Sequence, residues 1–220
     1  MLPSFNVAKN TLLKPEFTSN EFSFKAGSSF VVKHDKRPYL LTAHHLFGPA
    51  AGLEKRYTWK ELNSLSPSVK GFDFDNYEQS VVSGNFISIK NALGYNKGDP
   101  SQDLAVFQLP EENLAALSFA DSPPSKGDKV YLYARLKNTS KEDTVLHSAT
   151  VTESNDQFIE YKFDNRFLNP RATSGAAVLN QAGNVVGMNI AAAGIPIFNW
   201  KGRANSLTSL RRLLDQNIAN

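Results

Sequence analysis

Three short segments carry side chains that could act together on a carbonyl group. Leu41-Thr42-Ala43-His44-His45 ends an apolar run in histidine, Asp103 opens the apolar stretch Leu104-Ala105-Val106-Phe107-Gln108-Leu109, and Ser174 lies in Ala172-Thr173-Ser174-Gly175-Ala176-Ala177-Val178. Singly, each has an ordinary reading: a histidine after a strand is structural, an aspartate caps a turn, and a Ser-Gly pair makes a tight bend. In the order His, Asp, Ser they form a set. A serine hydroxyl is a poor nucleophile at neutral pH, and imidazole has the pKa to take its proton and later return it. A buried carboxylate would hold the imidazole in the right tautomer and stabilise its cation. The small residues around Ser174 let backbone N–H groups converge on a developing oxyanion.

Composition narrows the alternatives. The 220 residues include no cysteine, which removes disulfides, thiolate nucleophiles, iron–sulfur clusters and cysteine-ligated zinc together. His34, His44, His45 and His147 are scattered, and the His44-His45 pair lacks the i, i+4 spacing of a helical zinc motif, so neither a metal nor another cofactor is expected. A net charge of +3 is too small an excess to argue for nucleic acid or a membrane surface. No run approaches the length of a membrane-spanning helix. Residues 1–6 have neither the basic start nor the apolar run of a signal peptide. The compartment stays open between the cytoplasm and, if a leader has been removed, a secreted or periplasmic setting. The oligomeric state stays open.

The elements that must position these residues are mostly strands. Short stretches rich in β-branched and aromatic residues fall at 22–24, 29–33, 39–42, 79–83, 85–90 and 104–109, then at 129–136, 144–153, 157–163, 175–179 and 185–190. A surface helix is expected over 53–65. A second helix follows Ser206 as cap, with Leu207, Leu210, Leu213, Leu214 and Ile218 on one face and Arg211, Arg212 and Asp215 on the other. Asp121-Ser122-Pro123-Pro124-Ser125-Lys126-Gly127 interrupts helix and sheet alike and divides the chain near its middle. His34 is expected in a solvated turn, His147 and both tryptophans (Trp59 and Trp200) in packing roles.

With these motifs the chain resembles the chymotrypsin-like (trypsin-like) serine protease family from about Ser28 to the C-terminal helix. Leu41–His45 is similar to the family's Leu-Thr-Ala-Ala-His, Asp103-Leu104-Ala105-Val106 to its Asp-Ile-Ala-Leu, and Thr173-Ser174-Gly175 to its nucleophile turn. Ala182-Gly183-Asn184-Val185-Val186-Gly187-Met188-Asn189 and Lys126-Gly127-Asp128-Lys129-Val130 bring it nearest the bacterial HtrA-type branch, without a PDZ domain. The resemblance implies an all-β fold of two antiparallel six-stranded barrels with a C-terminal helix. One lobe, residues 1–121, would carry His45 and Asp103; the other, 122–220, would carry Ser174 and the helix, the two together forming one protease domain. It implies a triad of His45, Asp103 and Ser174, an oxyanion hole from the N–H groups of Ala172 and Ser174, and a protein or peptide substrate. The pocket for the side chain before the scissile bond would involve Leu168 or its neighbour Asn169, with Ile190, Ala191, Ala192 and Ala193 as its wall. With no carboxylate there, a small or medium apolar side chain is expected.

Some positions depart from the family pattern. Ala172 stands for an oxyanion-hole glycine, Thr173 for an aspartate, and Ala176-Ala177 for Gly-Pro. The aspartate pairs, in digestive relatives, with an N-terminal amine freed by cleavage, so activation of that kind is not expected here. These substitutions motivate two alternatives: a non-catalytic peptide-binding module on the same fold, and a protease that is inactive until its loops are ordered.

Overall fold

Alternating and β-branched residues in the first half of the chain build strands that return on themselves. In a computed structural model, which describes residues 5, 7–8, 10–74, 76–95, 98–110, 114–137, 143–195 and 198–218, this half contains β1 (Leu12–Thr18), β2 (Ser23–Lys25), β3 (Ser29–His34), β4 (Arg37–Thr42), β5 (Ser68–Asp73), β6 (Asn76–Ile87) and β7 (Ala105–Gln108). Their order in the sheet is β2-β1-β3-β4-β7-β6-β5, and β1 also pairs with β5, so six strands close a ring and β2 lies beside it. Most residues read for a leader, 1–4 and 6, lie outside the described ones. The second half forms a closed six-stranded barrel, β10-β13-β12-β11-β8-β9. Its strands are β8 (Lys129–Tyr133), β9 (Leu146–Ser154), β10 (Phe158–Phe163), β11 (Ala177–Leu179), β12 (Val185–Ile195) and β13 (Phe198–Ser206). The described pairings between these strands are antiparallel, as expected for a chymotrypsin-like fold.

Two helices complete the elements that matter to the site. The expected helix over 53–65 is confined to α1 (Trp59–Leu65). Thr58 and Glu61 form a reciprocal capping box that fixes its start, and the Thr58 N–H and hydroxyl that donate to the Glu61 carboxylate pull its pKa down to about 2. At the other end of the chain Ser206 closes β13 and caps α2 (Leu207–Asn217), its Oγ accepting the Ser209 N–H at 3.0 Å. Leu210, Leu213 and Leu214 of α2 are buried with β3, β4 and β7 residues such as Val31, Leu40 and Phe107 in one hydrophobic cluster. A second cluster around Tyr161, Val130 and Trp200 fills the closed barrel.

Sequence reading misses β1, β5 and β13. Pro15 breaks the β1 pattern, yet it sits opposite Gly71, where β5 comes close. In β13, Gly202 is obligatory because a Cβ there would overlap the Tyr161 ring. The stretch 175–179 becomes a strand only from Ala177, since Gly175 belongs to a turn with φ +86°. His34 is not solvated: it ends β3 with its side chain 9% exposed and Nε2 3.3 Å from Asp215 on α2. His147, in contrast, is buried as expected, with Nε2 donating to Ala134 O at 3.0 Å. Among the described residues no helix is long and apolar enough to cross a membrane.

Candidate active site

Strand β4 delivers the first of the site residues. Thr42 anchors its end through Oγ1 to Ser28 O (2.8 Å), and the chain then turns through a single 3-10 turn, His44–Leu46. That turn sends the two histidines different ways. His44 is buried, donates to Tyr57 O (3.1 Å), and burial pushes its pKa below the ordinary imidazole value, so it stays neutral. His45 faces the seam between the barrels with 15% of its side chain exposed.

Asp103, just ahead of β7, is fully buried beneath His45. Its Oδ2 accepts His45 Nδ1–H at 2.7 Å and Tyr95 N–H at 2.7 Å, and its Oδ1 accepts His45 backbone N–H at 2.9 Å. Three N–H donors satisfy both carboxyl oxygens of this solvent-shielded group. The contact makes Nδ1 the donor to the carboxylate and points Nε2 away from it. Gly94 lets the backbone that carries Tyr95 close over the imidazole: a Cβ there would lie 2.9 Å from His45 Cβ. From the other barrel, Asn205 of β13 donates to the Asp103 carbonyl at 3.1 Å.

Ser174 comes from the turn before β11. Both neighbours of the Thr173-Ser174 pair are in the left-handed region, Ala172 at φ +66° and Gly175 at φ +86°. For alanine this conformation costs about 1–2 kcal/mol that glycine is spared. Gly175 is required, because a Cβ would overlap Ser28 O on the facing barrel, and Ser28 N–H reaches back to Ser174 O at 2.8 Å. Among the described residues no protein acceptor takes the backbone N–H of Ala172 or Ser174. The Ser174 hydroxyl does not bond to His45 here; it donates to Ile190 O at 3.1 Å. The arrangement thus contains a charge-supported imidazole, a hydroxyl on an adjoining turn and two uncommitted N–H groups, the parts needed for acyl transfer.

The residues expected around the substrate are dispersed. Leu168 and Ile190 are buried in the two hydrophobic clusters, and Asn169 is exposed, its Oδ1 accepting Arg171 N–H at 3.1 Å. Ala191, Ala192 and Ala193 pair on one side with Arg203, Gly202 and Lys201 of β13, while the described β11 pairing stops at Met188. Beside them lies a cavity of about 280 Å3 that Tyr95, Glu160 and Arg203 also line. Tyr95, Tyr161 and Asn205 join the site although no local sequence signal marks them, and so does Asn189, the last residue of the 182–189 motif.

Fold and site together describe a two-barrel protein of serine-protease build. The chain belongs to the trypsin-like peptidase domain family, whose model matches residues 27–188. Among solved structures it is similar to a thermostable serine protease, AL20, from an extremophilic microorganism, at TM-score 0.60 and 16% identity over 96% of this chain and 98% of that one. It is also similar to the active form of the Rv3671c protease from M. tuberculosis, at TM-score 0.58 and 15% identity over 96% of this chain and 82% of that one. For an HtrA-type protease, AlgW, with a tripeptide, the values are 0.56 and 21%, the match covering 96% of this chain and 60% of that longer one. No curated protein sequence matches the chain significantly.

Proposed function

We propose that the protein is a serine endopeptidase with His45, Asp103 and Ser174 as its triad. The observation that carries this is the buried Asp103 carboxylate gripping both Nδ1 and the backbone N–H of His45 beside the Ser174 turn. An extended peptide adds as a strand along Ala191–Ala193, whose small side chains suit an apolar residue of modest size. In this mechanism Ser174 gives up the hydrogen bond to Ile190 O and turns its hydroxyl to His45 Nε2. His45 takes the proton as Oγ attacks the scissile carbonyl, and Asp103 stabilises the imidazolium. The N–H groups of Ala172 and Ser174 hold the oxyanion. His45 then returns the proton to the leaving amine, and water, activated by the same imidazole, hydrolyses the acyl-enzyme.

The test is labelling with a serine-directed phosphonate, read by mass spectrometry, together with casein or peptide cleavage. Label on Ser174 in the intact protein, absent from Ser174→Ala, is the expected result. An intact protein that takes no label overturns the reading. The Ser174–Ile190 hydrogen bond favours a second reading, a peptide-binding module without turnover. In that case a peptide binds equally to the intact protein and to Ser174→Ala and is released uncut.

A further inference from the structure

Beneath the Ser174 turn runs a chain of hydrogen bonds whose direction is fixed at every link. Tyr161, wholly buried on β10, donates its hydroxyl to Asn189 Oδ1 at 2.7 Å. Asn189 Nδ2 donates to Thr173 Oγ1 at 3.0 Å, and Thr173 Oγ1 donates its own proton to Pro170 O at 2.6 Å. Because Oγ1 has one proton and Pro170 O can only accept, Thr173 must receive from Asn189, and the Asn189 amide cannot be reversed. Burial pushes the Tyr161 phenol well above its ordinary pKa, which keeps it a donor. The backbone of Asn189 grips the same turn, taking Gly175 N–H at 2.8 Å and donating to Ala176 O at 2.8 Å. The two anchor points, Pro170 and Thr173, bracket Ala172, the residue forced to φ +66°.

We propose that Tyr161, Asn189 and Thr173 are positioning residues that hold Ala172 in its left-handed conformation and so keep the oxyanion-binding N–H groups aimed at the substrate. This positioning role rests on the peptidase reading for its catalytic consequence, while its structural content stands apart from that reading. None of the three side chains touches the substrate; they act through the backbone of 170–175.

The test compares Tyr161→Phe, Thr173→Val and Thr173→Ser, each with and without Ala172→Gly. Thr173→Val removes both hydrogen bonds at nearly constant volume and should lower kcat and the rate of phosphonate labelling by about tenfold or more, with KM within about twofold. Thr173→Ser keeps the links and should stay within about threefold of the intact protein. Ala172→Gly relieves the strained residue and should restore most of the loss in Thr173→Val, a rescue that a general packing defect would not show. Should Thr173→Val fail to fold, Tyr161→Phe, which deletes one oxygen, carries the same expectation. Backbone amide exchange is read in parallel: Gly175 N–H should exchange faster in Tyr161→Phe and Thr173→Val. Folded variants with unchanged exchange at Gly175, or a kcat loss untouched by Ala172→Gly, overturn the proposal. If the intact protein takes no label, the peptidase reading fails and the exchange measurement still decides the role of the three residues.

Discussion

Asp103 accepts three N–H groups, and that number makes its charge hard to replace. An asparagine there would keep the volume but set an NH2 group against one of those donors, favouring the wrong tautomer of His45. Asp103→Asn should therefore lower kcat by about 10^3 to 10^4 with little change in KM, measured on a peptide substrate. A second prediction concerns His147, whose pKa burial holds below the ordinary 6.5. Between the lowered value and 6.5 the unfolded chain binds more protons than the folded one, so stability rises with pH through that window and is lost as pH falls through it. His147→Gln keeps a donor for Ala134 O without titrating, and its melting temperature should fall less on acidification than that of the intact protein. At this scale His45, Asp103 and Ser174 were legible because each sits in a distinctive run of neighbours. Tyr161 was not, and Asn189 closed the 182–189 motif without its contacts being announced: their partners lie on other elements across the barrel.

The turn holding Ser174 is set by what flanks it. Gly175 combines φ +86° with a backbone pressed against Ser28 O, so Gly175→Ala must move either the turn or the facing strand. Its expected effect is loss of labelling at Ser174 together with roughly 1–3 kcal/mol of stability, read from denaturant unfolding. The capping box of α1 offers a milder case. Thr58→Ala removes the Oγ1 that accepts the Glu61 N–H and donates to its carboxylate, and should cost about 1 kcal/mol, a shift of about 2–4 °C in Tm, leaving peptide cleavage unchanged. The strands richest in Val, Ile and aromatic residues were readable from the sequence, as was α2 with its leucine face. Those that escaped, β1, β5 and β13, carry proline, glycine or charged residues that become sensible only beside their partners. Pro15 faces Gly71, and Gly202 makes room for Tyr161.

Seen whole, the two barrels do not keep their interiors separate. Leu210, Leu213 and Leu214 of α2, with Met188 and Leu179 of the closed barrel, share a cluster with Leu13, Leu40 and Phe107 of the first. Deleting 207–220 would uncover that face. Each buried leucine is worth about 1.5–3 kcal/mol, against about 5–15 kcal/mol for a domain as a whole, so the truncated chain should lose cooperative thermal unfolding. The site itself straddles the seam: Asn205 holds the Asp103 carbonyl, Arg203 holds Gly98 O at 2.8 Å, and Ser28 holds Ser174 O.

That shared interior has a consequence for how the protein is made. Synthesis runs from the amino end, and the His45–Asp103 half is complete long before Ser174 and the closing helix are released. A partly made chain holds His45 and Asp103 without Ser174, and its first core lacks the leucines that finish it. On the peptidase reading, cutting ability therefore waits until Ser174 and α2 have both been made and packed against the first barrel.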